Sequence, residues 1–152
     1  MTESTRTSSG PASGQSGPAG GVRRAGTAAL PPLLMLFLGL GVVQIFLAGL
    51  GVFSLDGAQL GGTDETAFDP HRFVAAVMSA VTLLVLIAAV VARPGRQFVI
   101  MSVVLLLLVA VLQGVLASAG EDTALFGGLH ALFGIGSLGL AGRMLAIGRS
   151  RR

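Results

Sequence analysis

The sequence predicts an all-α integral membrane protein: a four-helix bundle made of two repeated transmembrane hairpins, with both termini in the cytoplasm. Three observations lead there. Four apolar runs, about 30–53, 73–92, 98–119 and 124–147, are each long enough to cross ~30 Å of hydrocarbon, which takes about 20 residues. Nine of the ten basic residues fall on one side of those runs. The pattern Q-x-x-L-A-x-x-G also occurs twice, as QIFLAGLG from Gln44 to Gly51 and QGVLASAG from Gln113 to Gly120.

Composition supports the membrane assignment. Of the 152 residues 53% are hydrophobic and 11% charged, and the mean hydropathy is +0.84. A soluble domain carries about 25% charged residues, so this chain cannot clothe itself for water but can present a surface to lipid. The absence of cysteine excludes disulfides, iron–sulfur clusters and thiolate metal sites. Tryptophan and tyrosine are absent too, so the usual aromatic interface anchors are missing. Every basic residue is arginine, which together with abundant Ala, Gly and Leu suits a GC-rich bacterial source and its plasma membrane. The pI near 11.4 does not point to nucleic acid, because the arginines are scattered at run ends without a basic stripe or stacking aromatics.

Residues 1–29 are Gly, Ser, Thr, Ala and Pro with a few charges, too poor in apolar side chains to fold, and read as a disordered cytoplasmic tail. Arg23-Arg24 stand before the first run. That run is longer than the apolar core of a cleaved signal and is read as a retained helix. Pro31-Pro32 suit its start, where a missing N–H is harmless. Asp69-Pro70 place an N-cap and a first-turn proline at the head of the second span. Arg93-Pro94-Gly95-Arg96 break the chain between the second and third spans, and Asp122 and Thr123 are candidate caps of the fourth. Residues 148–152 form a basic cytoplasmic tail.

Arginine placement sets the orientation. Arg6, Arg23, Arg24, Arg93, Arg96, Arg143, Arg149, Arg151 and Arg152 share one side, and Arg72 alone stands opposite. Asp56, Asp64, Glu65, Asp69, Glu121 and Asp122 share the side of Arg72, with Glu3 across the membrane. The acids of the outer loop read as a solvated segment, since loose carboxylates make no defined cation cage.

The repeat extends beyond the glutamines. His71 and His130 are the only histidines, one in each second helix of a hairpin, and each is followed four residues on by a small residue, Ala75 or Gly134. At helical spacing Phe37, Gly41, Gln44, Ala48 and Gly51 share a face. Leu106, Ala110, Gln113, Ala117 and Gly120 are expected to repeat it. His71, Ala75, Met78 and Thr82 line up on the second span, and Gly127, His130, Gly134, Ser137 and Ala141 on the fourth. Small residues let membrane helices approach, and polar side chains turn away from lipid. All four polar landmarks therefore belong on interior faces, with a pseudo-two-fold along the membrane normal relating the hairpins.

Two opposed imidazoles suit the axial positions of a haem iron. His71 and His130 are accordingly the candidate metal ligands of a b-type haem, and Arg72 is placed for a propionate. Gln44 and Gln113 pair across helices, or border the cofactor and orient the histidines. No nucleophile elbow, Walker loop or zinc spacing is present, so no catalytic residue is assigned. The competing readings are a cofactor-free structural or interaction subunit, associating with itself or another membrane protein, and a small carrier.

The double Q-x-x-L-A-x-x-G, each copy followed by a histidine in the next helix, resembles small bacterial four-span proteins grouped as domain of unknown function 6220. The resemblance rests on Gln44, Leu47, Ala48, Gly51, His71, Gln113, Leu116, Ala117, Gly120 and His130, and implies no activity. More remotely, the layout is similar to one four-helix half of haem A synthase, which carries histidines on its second and fourth helices. That likeness implies axial roles for His71 and His130. The chain supplies only one such half and no carboxylate beside the histidines, so electron transfer or haem sensing, with a redox partner, is what the likeness leaves.

Overall fold

A computed structural model describes residues 18–56 and 66–150. Glu3, Arg6, Asp64, Glu65, Arg151 and Arg152 lie outside them. All regular elements among the described residues are helical: α1 (Pro18–Asp56), α2 (Asp69–Ala92), α3 (Arg96–Leu106), a π-helical segment (Leu107–Leu112), α4 (Gln113–Asp122) and α5 (Ala124–Ser150). Four helical stretches are long and apolar enough to cross a membrane, the third being the continuous run of α3, π segment and α4. The chain is a multi-pass, membrane-type helical protein. α1 packs along α2 and α4 along α5, while α2 meets α3 and α1 meets α5, which closes a ring of four.

The first helix starts earlier than the sequence suggests. Residues 18–29, expected as part of a disordered tail, are the first turns of α1, and Pro31 and Pro32 sit inside it. The reason is tertiary. Arg23 Nε donates to Ala92 O at 3.1 Å, covering a terminal carbonyl of α2 as basic side chains do at helix C-termini. At Gly26 any Cβ would stand 3.0–3.1 Å from Ala92 N and Ala88 O, so the extension lies flush on the α2 backbone. Internal prolines cost a membrane helix less where neighbouring helices hold it in place.

The other boundaries fall near their expected places. Asp69 is the first helical residue of α2 rather than its cap; Phe68 takes the cap position, makes no side-chain capping bond, and accepts from Arg72 N at 2.9 Å. Arg93 ends α2 in the left-handed conformation, φ 50°, with its N–H on Ala89 O, and Gly95 follows at φ 131°. Thr123 is the single residue between α4 and α5, its carbonyl accepting from Phe126 N at 3.0 Å.

The π segment is not foreshadowed by the sequence. Gln113 N reaches back five residues to Leu108 O, which puts one extra residue into the turn ahead of the glutamine. The expected inner stripe shifts with it. Ala110 and Ala117 are exposed, while Phe98, Ser102, Leu105 and Leu116 are buried.

Packing differs between the two ends. Leu30, Leu34 and Phe37 of α1, Val81, Val85, Ala88 and Ala89 of α2, Phe98 and Leu105 of α3, and Ala141 and Met144 of α5 form one buried cluster. This cluster occupies the half nearer Arg93 and Arg96. Thr82, Ser102 and Ser137 are buried inside it or beside it, and each hydroxyl bonds its own helix at 2.8–2.9 Å. Large apolar side chains such as Val42, Ile45, Phe46, Phe73 and Leu132 point outward, as lipid-facing residues should. The half that holds the histidines is left looser.

Candidate paired-histidine site

Each glutamine makes a two-way contact with the histidine of its own hairpin. Gln44 Nε2 donates to His71 O at 3.0 Å, and His71 Nδ1 lies 3.2 Å from Gln44 O. In the second hairpin Gln113 Nε2 donates to His130 O at 3.1 Å, and His130 Nδ1 lies 3.1 Å from Gln113 O. A backbone carbonyl only accepts, so each Nδ1 carries the proton and donates it. A ring held this way in its neutral form has its lone pair on Nε2, and no hydrogen bond to Nε2 of either histidine is made among the described residues.

The two rings come together between α2 and α5, with centroids 6.1 Å apart and planes tilted by 52°. They border a cavity of about 260 Å³ whose wall also includes Phe37, Gly41, Ala48, Ala75, Met78 and Gly134. Ile45 and Ile135 border it as well and are largely exposed, so the cavity opens sideways towards lipid. No charged side chain lines it. Gln44 Oε1 is buried there without a hydrogen-bond donor. An orphan acceptor of this kind costs ~1–3 kcal/mol. With Nδ1 donating in each ring, Nε2 of His71 and of His130 join Gln44 Oε1 as unused acceptors on residues that line this cavity.

Equivalent positions are filled differently above the two rings. Phe68 stands edge-on to His71, centroids 6.3 Å apart, and covers Gly51, where a Cβ would meet its ring at 2.5–2.6 Å. In the second hairpin the backbones themselves touch: a Cβ on Gly120 would lie 3.0 Å from Gly127 N. The Q-x-x-L-A-x-x-G glycine is thus a contact point in both hairpins, against a ring in one and a backbone in the other.

Of the residues singled out in the sequence, Gln44, Gln113, His71 and His130 all reach the cavity. Arg72 does not line it. Its guanidinium stays at the exposed rim, 3.6 Å from Asp69 and 3.8 Å from Glu121. Phe37 and Met78, expected on the faces of Gln44 and His71, line the cavity with them, whereas Phe68, which stands against His71, was not singled out because one apolar ring before the second span looks like any other. Among the described residues no group of three His, Cys, Asp or Glu gathers to hold a metal ion.

Residues 44–120, just over half of the chain, match the family of unknown function (DUF6220). The chain belongs to that family. The matched region begins at the first motif glutamine, ends at the second motif glycine, and contains His71 but not His130. The family thus covers one complete Gln–His contact and the glutamine of the other. No curated protein and no solved structure matches the chain.

Proposed function

We propose that this member of the family holds a b-type haem between His71 and His130, for electron transfer or haem-based sensing. The observation that carries the reading is the pair of Nδ1–H contacts to backbone carbonyls. Metal-ligating histidines commonly donate their second ring N–H in this way, which fixes the tautomer and raises ligand basicity. The ring spacing of 6.1 Å also fits: two imidazoles on opposite sides of one metal, with bonds of about 2.0–2.1 Å, place their centres about 6 Å apart.

The donor set supports iron porphyrin over a bare divalent ion. Structural zinc takes four protein ligands and catalytic zinc three, and no third His, Cys, Asp or Glu joins the pair among the described residues. A haem brings its own four nitrogens and asks the protein for two. Gly41, Ala48, Ala75 and Gly134 keep the wall low beside the rings, and the lateral opening at Ile45 and Ile135 leaves a path for a group larger than the cavity. Bound haem would supply one-electron redox chemistry. The chain's part is to hold two neutral imidazoles and to surround them with apolar side chains that keep water out. Arg72, at the rim, is the cation available to a propionate on exchange from Asp69 or Glu121.

The same reading takes the two Gln–His contacts as copies of one duplicated hairpin, with the arginine-rich ends cytoplasmic in a bacterial plasma membrane. The likeness to half of haem A synthase belongs to this proposal as well. The competing view, that the glutamines dock a partner subunit, is disfavoured because both amide N–H groups are used within the chain.

The test is a reduced-minus-oxidised visible spectrum of the detergent-purified protein beside His71→Ala and His130→Ala. Sharp low-spin bands that vanish in both variants are expected. No Soret absorbance after haem supplementation during expression would sink the reading.

A further inference from the structure

We infer that the His71–His130 pair also takes a bare monovalent copper ion, Cu(I), between its two Nε2 atoms with no macrocycle present. This does not rest on the haem reading: the nitrogens are shared, but nothing else about the haem is required.

Coordination number comes first. Among the described residues the pair has no third His, Cys, Asp or Glu beside it, which leaves zinc and other four-coordinate divalent ions short of ligands. Cu(I), with its single charge, is content with two opposed nitrogens. The spacing of 6.1 Å between ring centres accommodates one such ion, and with both Nδ1 atoms committed to carbonyls the Nε2 atoms are the ring nitrogens left to hold it.

Charge is the second argument. The cavity wall contains no carboxylate, so whatever ion enters keeps its full charge in a low-dielectric surrounding. The solvation cost of that transfer rises with the square of the charge, which favours a monovalent over a divalent ion. The available acceptors, the two Nε2 atoms and the orphan Gln44 Oε1, suit an electropositive occupant and offer nothing to an anion.

Softness is the third. Imidazole suits copper, and a soft thioether suits Cu(I). Met78 is the one sulfur in the cavity wall, two turns deeper along α2 than His71. The volume of about 260 Å³ is ample for a single ion.

The experiment is an anaerobic titration of the haem-free, full-length protein in detergent with Cu(I), competed against the chelator bathocuproine disulfonate. The folded protein should withdraw one equivalent, and X-ray absorption at the copper edge should report two nitrogen neighbours in a linear arrangement. His71→Ala and His130→Ala should each weaken binding by more than the ~10–100-fold that loss of an outer partner costs a metal site. Each variant is first checked for helical circular dichroism and monodisperse elution. Failure of the wild type to compete with the chelator overturns the inference, and so does equal binding by the double variant. Should a variant not fold, the absorption spectrum of the wild type decides, and a first shell without two nitrogens is the overturning result. Haem binding is read separately from the Soret band, so copper bound without a Soret band refutes the haem proposal alone, and the reverse refutes this one alone.

Discussion

Gln44 and Gln113 each use two atoms on one histidine: a side-chain N–H to its carbonyl and a main-chain carbonyl to its ring. The division has a consequence for mutation. Replacing either glutamine by leucine removes the amide bond but leaves the carbonyl that holds Nδ1, so the histidine keeps its tautomer while the helix pair loses an anchor. An interhelical side-chain bond in a membrane is worth ~0.6–2 kcal/mol, and a loss of that order is expected for Gln113→Leu in a thermal or denaturant unfolding assay. Gln44→Leu should cost less. It also removes the buried Oε1 that has no donor, whose unpaired state opposes the gain. Equal losses at the two sites would show that Oε1 is satisfied in solution. Glycines divide in the same residue-by-residue way. Gly120→Ala pushes a Cβ to 3.0 Å from the Gly127 backbone, which cannot step aside, and should destabilise by ~1–3 kcal/mol as overpacking does. Gly134→Ala meets nothing nearer than Gln113 Nε2 at 3.6 Å and should be tolerated in the same assay.

Among the elements, the π segment Leu107–Leu112 decides how the third span presents itself. It lets Phe98, Ser102 and Leu105 face the tight end of the bundle while Gln113 still reaches His130. Deleting Val111 removes the extra residue of the π turn, so an ordinary α-helical turn can join the two parts with the Leu105 face and the Gln113 contact both in place. Inserting a residue elsewhere in the span, at about 100° per residue, should instead swing one part away and cost on the order of 3 kcal/mol for a large core side chain. Unfolding measurements on the two variants check this, and a deletion that unfolds as readily as the insertion would contradict it. At the other end of the fold, Arg23→Ala should free the first turns of α1 from Ala92. The predicted sign is faster hydrogen exchange in residues 18–29 with the rest of the bundle unchanged. Pro31-Pro32 explain why sequence reasoning began the helix too late: proline favours helix starts, and only a contact sixty-nine residues away outweighs that preference.

For the whole molecule, packing is dense from Leu30 to Phe37 and from Ala141 to Leu145, and open around the two rings. Lipid offers no hydrophobic drive for helix association, so the closed end must hold the open one in register through close van der Waals contact. Orientation is the property of the whole chain most directly testable. The sequence has no cysteine, so a single introduced thiol reports one position cleanly. Thr123→Cys should be labelled by an impermeant maleimide added outside intact cells, and Ser150→Cys only after the membrane is opened. The reverse pattern, or labelling of both from outside, would contradict the arginine-based topology.

Hydropathy determined four spans and their approximate limits, because it depends only on the cost of moving each side chain between water and lipid; arginine placement adds an expected direction, which the thiol labelling tests. The repeated Q-x-x-L-A-x-x-G and the two histidines were visible as a candidate site for the same reason: a polar residue in an apolar run stands out whatever its partners. What only the tertiary structure decided is who meets whom. That Gln44 pairs with His71 and Gln113 with His130, that both rings border one cavity, and that Arg72 is held at the rim by carboxylates from two helices all depend on distances between segments. So does the phase of the third span, since a π turn leaves no compositional mark and is fixed by which of two adjacent faces packs better against its neighbours.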